Sequence, residues 1–320
     1  MEALQLEEYI EEQCELKTYT LEDYEGDVPR WCKGCGDFGI LSSVQKLLRD
    51  DQVAPESVVA VSGIGCSSRF PHYLNTYGFH GIHGRAMTIA TGVKLGRPDL
   101  KVLVTMGDGD CFSIGGGHWL HSMRYNTDLT VIVMDNEIYA LTKNQVSPTT
   151  HCGTSTNTTP HGAVLKEMNV LSVMLGITNT SFLAQTASWT PGHLDKTIKA
   201  AWNHKGTSFV RVLQKCPIFS PQAFGQDGKV KAPFTFLRDE NGIPVDKVFE
   251  KMAPVIDHNC KDLDAAKKIA MMEETSSPLG LLYHNPSIPT YEESLHATAD
   301  KITPEEKVVR LNEELDKYTI

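Results

Sequence analysis

The stretch Val102-Leu103-Val104-Thr105-Met106-Gly107-Asp108-Gly109-Asp110 decides how this chain is read. A β-branched run that stops at Gly and Asp is the pattern of a strand buried on both faces, with polar groups delivered at its carboxyl end. Three more runs behave alike. Val58-Val59-Ala60-Val61 passes into Gly63-Ile64-Gly65-Cys66, Leu129-Thr130-Val131-Ile132-Val133-Met134 passes into Asp135-Asn136, and Ser208-Phe209-Val210-Arg211-Val212-Leu213 runs on to Cys216. Helical spacing lies between them, in Leu41, Val44 and Leu48 and again in Ala86, Ile89, Ala90 and Val93 before a Gly96-Arg97-Pro98 stop. The alternation predicts an α/β fold, a mostly parallel sheet flanked by helices. Ligands of such sheets bind beyond the carboxyl ends of the strands, which puts all four tips at one site.

Asn136 follows Gly109 after 26 intervening residues. A hard Mg²⁺ ion takes oxygen ligands, few of them from protein, and completes its octahedron with phosphate oxygens and water. Asp108 and Asn136 on neighbouring strand ends supply two. The glycines let backbone amides approach a diphosphate, and Gly115-Gly116-Gly117 stands just before a helix start, where anions are favoured. Alone, Gly-Asp-Gly reads as a tight turn after a strand. With the asparagine at this spacing, the sequence resembles the thiamine-diphosphate-binding motif, and the resemblance implies Asp108, Asn136 and the carbonyl of Ile138 as Mg²⁺ ligands.

Eight cysteines in a chain of this composition read as ligands, reactive groups or buried hydrophobes rather than disulfides. Cys32 and Cys35 form a CxxC, and Cys66 and Cys216 follow predicted strands. Four thiolates suit a [4Fe-4S] cluster, and equally Zn²⁺, while the CxxC alone also suits a redox dithiol. No strand pattern leads into Trp31, which speaks against a thioredoxin motif. Cys14, Cys111, Cys152 and Cys260 read as structural, with Cys111 beside the diphosphate loop.

Trp31-Cys32-Lys33-Gly34-Cys35-Gly36-Asp37, Gly63-Ile64-Gly65-Cys66-Ser67-Ser68, His83-Gly84-Arg85-Ala86 and Cys216-Pro217 resemble, in order, the β subunits of 2-oxoacid:ferredoxin oxidoreductases, over about residues 28–220. The resemblance implies a thiamine-diphosphate-binding fold and a [4Fe-4S] cluster on Cys32, Cys35, Cys66 and Cys216. It implies cofactor contacts at Ile64, Gly65, Cys66, Ser67, His83, Gly107, Gly109, Asp110, Ala140 and Leu141. His83 is also readable as a hydrogen-bonded structural histidine. Arg85 is expected to neutralise phosphate or a substrate carboxylate, or else to lie on a helix surface.

The implied reaction is oxidative decarboxylation of a 2-oxoacid to acyl-CoA with electrons passed to ferredoxin, or its reverse, reductive carboxylation. In Tyr139-Ala140-Leu141-Thr142-Lys143-Asn144-Gln145 the family usually has glycine where Ala140 and Asn144 stand. Members acting on pyruvate tend to have glycine at the position of Lys143, and those accepting 2-oxoglutarate tend to have lysine. An ammonium there would pair with the distal carboxylate of a dicarboxylic substrate, so 2-oxoglutarate is favoured, while Lys143 is also readable as a solvated loop lysine. Pyruvate or a branched-chain 2-oxoacid is the alternative substrate, and a zinc-stabilised non-catalytic subunit the alternative of another class. The family takes its activating glutamate from an α subunit, which implies an αβ pair, doubled to (αβ)₂, with coenzyme A and ferredoxin as further partners.

Composition bounds the rest. The 320 residues carry a net charge of −10, which excludes nucleic acid or an anionic membrane as the main partner. No apolar run reaches the roughly 20 residues that span a bilayer, and the acidic N-terminus is unlike a secretory signal, so the expected location is cytoplasmic. Residues 1–30 hold ten Asp or Glu against Lys17 and Arg30. The chain divides into an acidic N-terminal arm (1–27), a thiamine-diphosphate and iron-sulfur binding domain (28–240) and a C-terminal extension (241–320). The extension ends in a helix start at Thr303-Pro304-Glu305-Glu306, with Val308, Leu311 and Leu315 on one face. Its Ser276-Ser277-Pro278-Leu279-Gly280-Leu281-Leu282-Tyr283 segment suits an interaction arm or core packing.

Overall fold

A computed structural model describes residues 17–225, 234–272, 276–298 and 303–318. All four β-branched runs are strands, and more strands join them. In chain order they are β1 (Val58–Ser62), β2 (Tyr77–His80), β3 (Lys101–Gly107), β4 (Thr130–Asp135), β5 (Ile138–Tyr139), β6 (Gln145–Val146), β7 (Phe182–Ala187), β8 (Ser208–Leu213), β9 (Phe234–Arg238), β10 (Val255–Asp257) and β11 (Ser277–His284). Nine of them form one sheet in the order β10-β9-β11-β7-β8-β4-β3-β1-β2, while β5 and β6 make a separate hairpin. The sheet is parallel except between β11 and β7.

The four recognised strands are therefore contiguous, β8-β4-β3-β1. Their register aligns Gly107 with Met134, and Asp135 with Leu213, so Asp108, Asn136 and the loops toward Cys66 and Cys216 emerge along one edge. Both faces are covered. Alternate residues of one strand face opposite ways, so Val131 and Val133 join a cluster with Met87, Trp119 and Phe209, while Ile132 and Met134 join another with Ile40, Leu48 and Val210. Helices Ala86–Gly96 and Gly116–Tyr125 pack on the first face, Asp37–Asp50 and Pro191–Asn203 on the second. Each fully buried large apolar side chain contributes roughly 1.5–3 kcal/mol.

Residues 277–283 belong to the core. They form β11, paired with β7 and β9, and Leu279, Leu281 and Leu282 are buried. The sheet thus runs on past residue 240. Helix Pro304–Asp316 begins with a reciprocal capping box between Thr303 and Glu306, and Val308, Leu311 and Leu315 on it are exposed. Of the acidic arm, residues 1–16 and with them Cys14 lie outside the described residues. The following segment is seated by Tyr24, which is buried with its hydroxyl against the carbonyls of Leu48 and Val53. Among the described residues no helix is long and apolar enough to cross a membrane.

Candidate functional site

Strand β3 ends at Gly107, and the chain turns directly into a π-helix, Gly109–Ile114, rather than an open loop. This winds into helix Gly116–Tyr125. Asp108 and Asp110 consequently point from a fixed, buried turn. Beyond the strand ends lies a cleft of about 580 Å³ including its open mouth. Its walls are Ile64, Gly65, Cys66, Ser67, His83, Gly107, Asp108, Gly109, Asp110, Asn136, Ile138, Tyr139, Ala140, Leu141 and Thr142. Every residue that the family resemblance implied as a cofactor contact or Mg²⁺ ligand is on this surface, whereas Gly115, Gly116 and Gly117 are not among its walls.

Asp110 braces the cleft. Its Oδ1 accepts from the amides of Ile64 at 3.2 Å and Gly84 at 2.6 Å and lies 2.6 Å from Nδ1 of His83. Its Oδ2 accepts from the Ser68 hydroxyl at 3.4 Å. Burial raises its pKa, although the amides and His83 pull it the other way. Gly63 is required by this packing, since a Cβ there would stand 2.1 Å from Oδ2 of Asp110. His83 also meets the edge of the Tyr139 ring, centroid to centroid 5.9 Å, and Tyr139 donates to the Gly109 carbonyl at 2.8 Å.

Asp108 sits in a network that sequence reading missed. The Thr149 hydroxyl lies 3.0 Å from Asp108 Oδ2 and 2.8 Å from Asp135 Oδ1. Asp135 is fully buried and is paired with Arg211, whose Nε and Nη2 each lie 2.7 Å from its Oδ2. Burial, and next the charge of Asp135, hold the Asp108 carboxyl above the usual carboxylate range. Arg211 was the available signal, a charged residue inside a β-branched run. Asn136 accepts the Ile138 amide at 3.2 Å, an Asx turn that brings its side chain beside the Ile138 backbone.

Two expected residues stand outside the cleft walls. Arg85 directs Nη1 to the carbonyls of Gly84 and Ile114, at 3.2 and 3.3 Å. Lys143 is exposed in the turn of the β5–β6 hairpin, one residue beyond the lining Thr142. Lys143 and Asn144 both have left-handed backbones, φ 75° and 74°. Asn tolerates that region better than most residues, which accounts for its standing where glycine is usual.

The cysteines converge beside the cleft. Trp31 Nε1 donates to the Cys66 carbonyl at 2.7 Å, and the Gly36 amide donates to the Lys215 carbonyl at 3.1 Å, which ties the CxxC to the other two segments. Gln214 Nε2 lies 3.0 Å from the Cys35 sulfur, and Cys66 packs with Cys216, Ile138 and Ala140. Burial pushes the Cys66 thiol up to about 12, with Asp37, Cys216 and Cys32 adding to it. Cys35 is pushed up by burial and then by Asp37. Among the described residues no three His, Cys, Asp or Glu side chains close around a single-ion site. Cys111 is buried, and so is Cys260.

Two family models match the chain: the thiamine pyrophosphate enzyme C-terminal TPP-binding domain over residues 63–212, and the C-terminal region of the pyruvate ferredoxin oxidoreductase β subunit over residues 247–300. The β subunit of the 2-oxoacid:ferredoxin oxidoreductase of Saccharolobus solfataricus is 37% identical over 269 residues, 83% of this chain and 85% of that one. The chain belongs to the β subunits of the 2-oxoacid:ferredoxin oxidoreductases. Within that family it is 44% identical over 216 residues to 2-oxoglutarate oxidoreductase subunit KorB of Mycobacterium tuberculosis. The match takes in 68% of this chain and spans 58% of the relative's length. A solved 2-oxoglutarate:ferredoxin oxidoreductase from Magnetococcus marinus, with 2-oxoglutarate, coenzyme A and succinyl-CoA bound, is similar with a TM-score of 0.77 and 34% identity. The alignment covers 93% of this chain and 97% of that one. In this oxidoreductase β subunit, the TPP-binding match spans both the Gly107–Asp110 turn and Asn136.

Proposed function

We propose that this chain is the β subunit of a 2-oxoglutarate:ferredoxin oxidoreductase. The overall step is 2-oxoacid carboxylate + CoA-SH + two oxidised ferredoxins giving acyl-CoA + CO₂ + H⁺ + two reduced ferredoxins. The C1–C2 bond breaks, the acyl–sulfur bond forms, and the two electrons leave singly. The carrying observation is that Asp108 and Asn136, on adjacent strand ends, share one cleft with the Cys66 loop.

The donor set fits Mg²⁺. Asp108 is buried beside a second carboxylate, a combination that favours a cation, and the available groups are hard oxygens. Asp108, Asn136 and the Ile138 carbonyl would hold the metal, and Ile64, Gly65, Cys66, Ser67, His83, Gly107, Gly109, Asp110, Ala140 and Leu141 would meet the diphosphate cofactor. Thiamine diphosphate supplies the carbon nucleophile and electron sink. The chain's own residues orient it: Asp110 locks the Ile64 and Gly84 loops around the cleft, and His83, held by Asp110, is a proton carrier at the wall.

The sulfurs fit a [4Fe-4S] cluster on Cys32, Cys35, Cys66 and Cys216. The thiols of Cys35 and Cys66, held up by burial, need a strong positive charge to ionise, and iron would supply it. A lone Zn²⁺ would draw all four sulfurs to about 2.3 Å from one point; a cube with one thiolate per corner asks for a wider frame. Cys66 would serve both centres. The similarity to 2-oxoglutarate oxidoreductases supports that substrate over pyruvate or a branched-chain 2-oxoacid, and Lys143, at the rim one residue beyond Thr142, is assigned to its distal carboxylate. The reading calls for an α subunit, an (αβ)₂ assembly, and a cytoplasmic setting where ferredoxin is available.

The test is an anaerobic assay of the purified αβ complex with a panel of 2-oxoacids, coenzyme A and a low-potential acceptor. The expected outcome is preference for 2-oxoglutarate, four iron and acid-labile sulfide per β chain, and loss of cofactor binding in Asp108→Ala. One zinc per chain without sulfide would sink the cluster assignment.

A further inference from the structure

We infer that Gln214 sets the reduction potential of the cluster by donating a hydrogen bond to the sulfur of Cys35. The inference rests on the cluster assignment above and adds to it a positioning residue that is neither a ligand nor a cofactor contact. Gln214 follows directly on β8, is 1% exposed, and donates its backbone amide to the Asp135 carbonyl at 2.7 Å, continuing the β8–β4 pairing by one step. Its Nε2 meets two acceptors, the Lys215 carbonyl at 2.9 Å and the Cys35 sulfur at 3.0 Å. A carbonyl only accepts, so the amide nitrogen must lie on that side and the group cannot be turned over. One N–H is occupied by the carbonyl, and the other is left for the sulfur.

The side chain is held in place. A Cβ on Gly36 would stand 3.1 Å from Cγ of Gln214 and 2.5 Å from Oγ of Ser188, so the turn after the CxxC lies flat on both residues. Oε1 of Gln214 is buried, and among the described residues it has no hydrogen-bond partner. An unmet buried acceptor destabilises a fold, and a leucine of similar volume would not carry one. Packing alone therefore does not account for an amide here, whereas its N–H toward sulfur does. Buried Asp37 lies beside the same sulfur, and a carboxylate there disfavours added negative charge, which the amide N–H offsets. Reduction adds one electron to the four-iron unit, taken from the 2-oxoacid and later given to ferredoxin, with no bond or proton exchanged at Gln214. The added charge spreads to the thiolate sulfurs and strengthens an N–H···S bond, so the donor favours the reduced form and raises the potential.

The αβ complex is titrated electrochemically with mediators while the electron paramagnetic resonance signal of the cluster is followed, for wild type, Gln214→Leu and Gln214→Met. Both variants keep the bulk and lose the donor. Each is expected to lower the equilibrium constant for reduction about 10-fold, or about 59 mV for one electron, with iron and acid-labile sulfide unchanged. Ser188→Ala loosens the same turn without removing the donor, since Ser188 Oγ accepts the Lys215 amide at 3.4 Å, and it should keep the wild-type potential. An unchanged potential in either Gln214 variant that retains its iron would overturn the inference. So would an equal shift in Ser188→Ala, or loss of iron from both Gln214 variants, which would make the residue a structural support. A wild-type complex without iron and sulfide would instead remove the cluster assignment, and the inference with it.

Discussion

The hydroxyl of Thr149 stands 3.0 Å from Oδ2 of Asp108, and the same oxygen is 2.8 Å from Asp135. Arg211 fixes Asp135, Asp135 fixes Thr149, and Thr149 orients the carboxylate assigned to the metal. Partners of this kind are worth roughly 10–100-fold in metal affinity. Thr149→Val should therefore weaken Mg²⁺-dependent thiamine diphosphate binding by about that factor, and Thr149→Ser should restore it. Fluorescence titration of the αβ complex reads both; equal affinities in all three proteins would remove Thr149 from the site.

Gly63→Ala places a methyl group 2.1 Å from Asp110 Oδ2. Asp110 must move, and its bonds to Ile64, Gly84 and His83 go with it. The expected result is loss of cofactor affinity by about 100-fold or more, with near-native far-ultraviolet circular dichroism, since two or three hydrogen bonds to a charged group are at stake. Retained affinity would show the brace to be dispensable.

Lys143→Gly removes the ammonium at a position whose φ of 75° suits glycine, so the variant should fold at least as well. A charged pair at this exposed turn is worth up to about 1 kcal/mol, so the ratio of kcat/KM for 2-oxoglutarate over pyruvate should fall by about 2- to 5-fold. An unchanged ratio would end the assignment of Lys143 to the substrate.

His193 and His204 are buried, and desolvation lowers both to about 4. Unfolded histidine titrates near 6.5, so between about pH 6.5 and 4 the unfolded chain binds more protons than the folded one. Stability is then complete above pH 6.5 and falls as the medium is acidified, by up to about 1.4 kcal/mol per pH unit for each histidine. Thermal melts from pH 7.5 to 5 should show this slope, and His204→Gln should make it shallower.

What could be read from the sequence follows physical rules. β1, β3, β4 and β8 were legible because strands buried on both faces are unbroken apolar runs. β7 was not, because Gln185 and Thr186 interrupt it; the interruption is offset by bonds from Gln185 to the Pro278 carbonyl and from Arg211 to Gln185. β2 hides for the opposite reason, an edge strand whose four residues are all exposed. Asp108 and Asn136 were visible through spacing, whereas Thr149 depends on a fold that returns residues 147–150 to the strand ends. Asp110 is legible as a cleft residue, but its hold on His83 and Gly84 arises only where the fold brings residues 83–84 against the turn after β3.

Strand β11 has a consequence for dissection of the molecule. It is antiparallel to β7 and stands between that strand and β9. A polypeptide ended after residue 240 would keep every residue proposed for cofactor binding and yet leave the β7 backbone bare, an adhesive edge open to other chains. Such a fragment is expected to aggregate, so the smallest manageable form of this subunit is larger than its chemistry requires.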